Sequence, residues 1–98
     1  MLVTRYFAPD AYEGKTVFVT GGGSGINLGI ARNFAALGAD IAICGRRQER
    51  LDVAAEELRS LGAKVSALAA DVRDIGALQT AFAASEAELG PVDVLVCG

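Results

Sequence analysis

The chain contains no histidine and no tryptophan, and only two cysteines and two prolines. Without histidine there is no imidazole base and no His-based metal site, and no metal ligand set is expected. Basic runs are also missing: nine Lys and Arg stand against twelve Asp and Glu, for a net charge of −3. Nucleic-acid binding needs clustered cations to neutralise phosphates, so DNA and RNA are excluded as partners. The same lack removes the polybasic patch that would hold a protein to an anionic membrane. No apolar stretch approaches the roughly 20 residues that a membrane-spanning helix needs. The leader, residues 1–13, carries Arg5 with no long apolar run after it, so it does not read as a signal peptide. Cys44 and Cys97 each close an apolar run and read as two buried free thiols of a cytoplasmic protein.

What is present is a strong rhythm. Apolar residues make up 52% of the 98, enough for one packed domain. Four short runs stand out: Thr16–Thr20, Ala39–Cys44, Val65–Ala70 and Val92–Cys97. They are continuous rather than alternating, as in strands buried on both faces of a parallel sheet. Three segments of helical spacing lie between them, over about Gly25–Leu37, Gln48–Leu61 and Asp74–Leu89. The second places Leu51, Ala54, Ala55, Leu58 and Leu61 on one face, and the third aligns Ile75, Leu78, Phe82, Ser85 and Leu89. Each helix ends in Leu-Gly, and a glycine just past a helix supplies the left-handed residue that closes its last turn. Strand and helix thus alternate three times and a strand follows. This predicts a doubly wound, Rossmann-type parallel sheet with strand order 3-2-1-4, in a three-layer α/β/α sandwich.

Chemistry first shows between the first strand and the first helix, in Thr20-Gly21-Gly22-Gly23-Ser24-Gly25-Ile26-Asn27-Leu28-Gly29. A glycine-rich turn at this point lets backbone approach a pyrophosphate, and the helix N-terminus offers N–H groups and the positive end of its dipole. Glycine is expected here because a Cβ would collide with the ligand or forbid the turn. A Walker-type loop is excluded, since no Gly-Lys-Ser/Thr follows.

With these residues the sequence resembles the short-chain dehydrogenase/reductase family, whose pattern is Thr-Gly, three residues, then Gly-x-Gly. Thr20, Gly21 and Gly25 match, and Asn27 stands where the family has its last glycine. Asparagine tolerates unusual backbone angles, so a modified site is expected rather than a dead one, with Gly29 restoring part of the close packing. The resemblance implies a nicotinamide dinucleotide held by Gly21, Gly22, Gly23, Ser24, Gly25, Ile26 and Asn27.

About 20 residues beyond the loop, an NAD-selective enzyme places an acid for the ribose hydroxyls. Here Cys44-Gly45-Arg46-Arg47 follows the second strand, and no carboxylate comes before Glu49. Arginine binds a 2′-phosphate through charge-assisted, forked contacts, so the cofactor expected is NADP(H), with Arg46 first and Arg47 second. The bland alternative is a pair of solvated residues leading into a helix, at a dipole cost of ~0.3–1 kcal/mol each.

The third strand ends in Asp71-Val72, a pair that borders the adenine in the family; the alternative is that Asp71 caps the next turn. The resemblance covers the chain from Gly14 onward but only the front of a family member, so residues 1–98 are expected to be the NADP-binding part of a single domain. Family members carry their Ser and Tyr-x-x-x-Lys beyond this point, and no catalytic residue is assigned here. The Gly-Gly-Gly-Ser-Gly, Gly-Arg-Arg and Leu-Val-Cys stretches look most like the 2,4-dienoyl-CoA reductase branch. This implies hydride transfer to an enoyl- or keto-acyl thioester or a similar carbonyl, with an acyl-CoA among the small-molecule substrates, in a homo-oligomeric whole protein. The rival readings are a non-catalytic NADP-binding module and an inactive truncated fragment.

Overall fold

The computed structural model describes residues 10–23 and 25–97; Ser24, residues 1–9 of the leader and Gly98 lie outside it. Among the described residues the order is β1 (Thr16–Thr20), α1 (Gly25–Ala36), β2 (Asp40–Gly45), α2 (Gln48–Ser60), β3 (Val65–Ala69), α3 (Ile75–Leu89) and β4 (Val94–Val96). The strands form one parallel sheet in the order β3-β2-β1-β4.

The continuous apolar runs have the cause expected of them, since both faces of the sheet are covered. Val17, Val19, Ile41 and Ile43 point into a core closed by α1 and α2, through Ala31, Ala35, Leu51, Ala54 and Leu58. Phe18, Ala42 and Cys44 point the other way, toward Ala81, Leu78 and Phe82 of α3. All five residues of β1 are buried, so every side chain there must be apolar or internally bonded. Thr20 fits that rule: its hydroxyl donates to the carbonyl of Val96 at 3.3 Å. Gly38, Gly62 and Gly90 take φ of +95°, +95° and +98° just past the helices, where a Cβ is disfavoured.

Four expectations need correction. The fourth strand pairs over three residues only. Asp93 intervenes, because its N–H donates to the Thr16 carbonyl and its carboxylate accepts the Thr16 N–H, each at 2.9 Å. Leu61 is 42% exposed, since it is the residue at which α2 ends. Ile75 is 67% exposed, because the inward face of α3 runs through Ala81 and Ser85 and leaves the helix's first residue outside. Cys44 is buried but Cys97 is exposed, lying beyond the end of β4. Burial pushes the Cys44 thiol pKa upward.

Candidate nucleotide-binding site

The three strands β1, β2 and β3 end side by side, and their carboxyl ends deliver the loops that form the site. After β1 the chain turns sharply at Gly21, with φ of +65°, and again at Gly25 with the same φ. The N–H groups of Gly21 and Gly22 both donate to the Cys44 carbonyl, at 2.8 and 3.3 Å, tying the loop to the end of β2.

Two of the glycines also have a packing reason within the chain itself. A Cβ on Gly22 would lie 2.5 Å from Ile43 Cγ2 and 3.2 Å from the Val19 carbonyl. On Gly23 it would lie 3.3 Å from Leu51 Cδ2 and 3.6 Å from Arg50 Cβ. Gly22 therefore lets the loop settle on β2, and Gly23 lets it settle on the first turn of α2. These contacts join residues far apart in sequence, so local pattern did not reveal them.

Asn27 folds back onto the loop. Its Nδ2 donates to the Thr20 carbonyl at 2.7 Å, so the side chain in place of the family's last glycine braces the turn. Gly29 does not take over that glycine's packing role, for a Cβ there would meet nothing within 4 Å. Gly25 and Ile26 stand exposed at the start of α1, Ile26 at 83%. The first turn of α1 holds no acidic residue, so nothing there opposes an anion at its positive end.

Arg46 follows β2 directly, and Arg47 sits at the N-cap of α2 with no side-chain hydrogen bond to the helix. Arg46, Arg47 and Arg50 line a cleft of about 240 Å³ whose other wall is Gly21 and Gly23. Arg46 also borders a second cleft of about 360 Å³, closed by Gly21, Asp71, Val72 and Arg73. It thus stands between the two, and among the described residues it forms no salt bridge.

Asp71 shows the capping behaviour that the sequence left open. Its Oδ1 accepts the Arg73 N–H at 2.9 Å, and its Oδ2 accepts Arg73 Nη2 at 2.9 Å. Hydrogen bonds from the Arg73 side chain and backbone, with smaller help from the Arg46 charge, hold this carboxyl down at about 2. The carboxylate thus stays ionised beside the cleft at any physiological pH. The structure brings Gly21, Gly23, Arg46, Arg47, Asp71 and Val72 together around the two clefts. Gly22 and Asn27 act from behind, as supports, and the Ser24 assignment falls outside the described residues.

Sequence reading missed Arg50 and Arg73. The signal for Arg50 was its place in the first turn of the helix that Arg46 and Arg47 lead into. For Arg73 it was the Asp-x-Arg spacing, which fits an Asx turn.

The chain belongs to the short chain dehydrogenase family, whose model matches residues 15–98. It is 42% identical over 90 residues to a peroxisomal 2,4-dienoyl-CoA reductase of Arabidopsis thaliana, which covers 92% of this chain and 30% of that one. A citronellol catabolism dehydrogenase from Pseudomonas aeruginosa PAO1 superposes with a TM-score of 0.85 at 41% identity, over 92% of this chain and 38% of the other. An actinorhodin polyketide ketoreductase variant solved with NADPH gives 0.82 at 37% identity, over 86% and 32% respectively. The chain therefore spans about a third of the length of the proteins it matches.

Proposed function

We propose that this chain is the cofactor-binding part of an NADP(H)-dependent oxidoreductase acting on an enoyl- or keto-acyl thioester or a similar carbonyl. The observation that carries the reading is Arg46. It stands at the end of β2, between the two clefts, where an NAD-selective site would present a carboxylate. Glu49 is the acidic residue of the α2 first turn, and it is not part of either cleft wall.

The residues present fit a phosphorylated dinucleotide. Gly21, Gly22, Gly23, Ser24, Gly25 and Ile26 would bring backbone N–H groups and the α1 dipole to the pyrophosphate. Asn27 would hold that loop in shape through Thr20. Arg46 and Arg47 would grip the 2′-phosphate, and Asp71 and Val72 would flank the adenine. The bound cofactor would supply the hydride; no residue of this chain is proposed to move the proton. The substrate class rests on the names of relatives, a dienoyl-CoA reductase and a polyketide ketoreductase. Among the described residues no helix is long and apolar enough to cross a membrane. Two unpaired thiols support a reducing compartment, here proposed as the cytoplasm.

The test is calorimetric titration of the protein carrying this chain with NADPH and NADH, before and after Arg46→Asp. Losing a charge-assisted contact costs about 1.5–3 kcal/mol, so NADPH should weaken more than about tenfold. NADH should change far less. Equal losses for both nucleotides would overturn the assignment of Arg46 and, with it, the preference for NADP(H).

A further inference from the structure

We propose that Arg50 is a specificity-determining residue of this site, a third cation that closes the far wall of the 2′-phosphate cleft. The inference rests on the NADP(H) reading above and goes beyond it, since the residues following β2 in sequence carry that reading alone. Three observations support Arg50. It lines the same cleft as Arg46 and Arg47, and it comes from the first turn of α2 rather than from the strand end. Its backbone is held directly beside the phosphate loop: a Cβ on Gly23 would lie only 3.6 Å from Arg50 Cβ and 3.6 Å from the Leu51 N. Leu51 anchors that turn in the core at 1% exposure, so Arg50 is carried on a rigid base. Among the described residues Arg50 has no hydrogen-bonding or ion-pair partner that would hold it elsewhere.

The geometry gives the three guanidinium groups different tasks. Arg46 borders both clefts and so lies at the junction between base and phosphate. Arg47 at the N-cap and Arg50 in the first turn of α2 both line the other cleft. An anion between them would meet charge from two sides and the positive end of α2 from below. A dianionic phosphate uses such a surround, whereas a neutral ribose hydroxyl leaves the charges unpaired. Arg50 therefore discriminates between phosphorylated and unphosphorylated ribose, rather than raising affinity for every nucleotide.

The experiment uses 2′,5′-ADP and 5′-AMP as probes, titrated calorimetrically into the wild-type protein and its Arg50→Gln, Arg50→Lys and Arg46→Gln variants. Wild type should prefer 2′,5′-ADP. Arg50→Gln should weaken 2′,5′-ADP by about tenfold and leave 5′-AMP within about twofold. Arg50→Lys should fall between, because it keeps the charge and loses the fork. The side chain is exposed, so unchanged melting of both variants is expected. Equal losses for the two probes, or no loss for either, would overturn the role of Arg50. If Arg46→Gln abolished the preference while Arg50→Gln left it intact, the NADP(H) reading would stand and only this inference would fail. If wild type showed no preference, both would fall.

Discussion

The two flanks of the central strand are built to different standards. On the β2 and β3 side, β1 pairs over five residues, and Val17, Val19, Ile41 and Ile43 are at most 1% exposed. On the other side, β1 pairs with β4 over three residues, and Leu95 is 57% exposed. A cleft of about 270 Å³ opens there between Phe18, Leu78, Phe82 and Leu95. The outer edge of β3 is covered by side chains of α2: Gln48 accepts from the Ala69 N–H at 3.1 Å and donates to the Ala67 carbonyl at 3.3 Å, and Arg59 donates to the Val65 carbonyl at 3.0 Å. The two clefts that Arg46 borders lie wholly on the tight flank. Their walls come from the end of β2, the first turn of α2 and the loops that follow β1, β2 and β3, and β4 contributes nothing to either. Changes at the two clefts are therefore expected to be felt in the core formed by β1, β2, α1 and α2.

Gly22→Ala should break that comparison most severely. The new methyl would sit 2.5 Å from Ile43 Cγ2, inside a core with no room to yield, and beside the Val19 carbonyl. Overpacking of this kind costs about 1–3 kcal/mol, and the loop must shift to relieve it, so nucleotide affinity should fall together with stability. The matching change on the other flank, Leu95→Ala made in residues 1–98, removes a side chain that is 57% exposed there and should cost under about 1 kcal/mol. Denaturant melts of the two variants check the difference. If Leu95→Ala cost as much as Gly22→Ala, the two flanks would be equally tight and the comparison would be wrong.

Asn27→Gly sharpens it next. This change restores the family's glycine, and a reading from pattern alone expects it to improve the loop. The structure predicts the reverse. Removing the side chain deletes the 2.7 Å bond to the Thr20 carbonyl and adds a flexible residue inside α1. The expected loss is about 1–1.5 kcal/mol, read as a lower melting temperature. A variant that melted higher would mean that Asn27 strains the turn rather than bracing it.

These two residues also mark how far sequence could be read. The order and type of every element, the parallel sheet and the glycines that end the helices were legible, because each depends on local periodicity or on one residue's backbone freedom. Of the site, the glycine loop, Arg46 and Arg47 were legible as positions at the strand ends, and Asp71 and Val72 only through the family resemblance. The reasons behind Gly22 and Gly23 were not, since Ile43 and Leu51 meet them only in the folded chain. Nor was the bond from Asn27 to Thr20, which depends on one side-chain torsion. The shortening of β4 was hidden for the same reason. Asp93 looks like one polar residue in an apolar run, and only the sheet reveals that it clamps both backbone polar groups of Thr16.

The smallest expected effect belongs to Gln48→Ala, and it bears most directly on the outer edge of β3. Gln48 opens α2, and its amide also donates to Asp52 at 2.8 Å, which orients it toward β3. It therefore ties the turn carrying Arg47 and Arg50 to the strand that leads to Asp71, bracing the two walls of the site against each other. The bonds are exposed, and water replaces them in the variant. Alanine is in addition a better helix former than glutamine, so the stability loss should be only about 0.5 kcal/mol. A melting curve reads that poorly, but amide hydrogen exchange reads it residue by residue. The Ala69 N–H, which donates to Gln48, should exchange faster in the variant. The neighbouring Ala70 N–H donates to the Gly45 carbonyl at 2.8 Å inside the sheet and should keep its protection. Faster exchange at Ala69 alone would establish that a side chain guards this edge. Equal acceleration at both amides would mean that Gln48 holds the strand itself in place, and unchanged exchange at both would mean that Gln48 does not guard this edge.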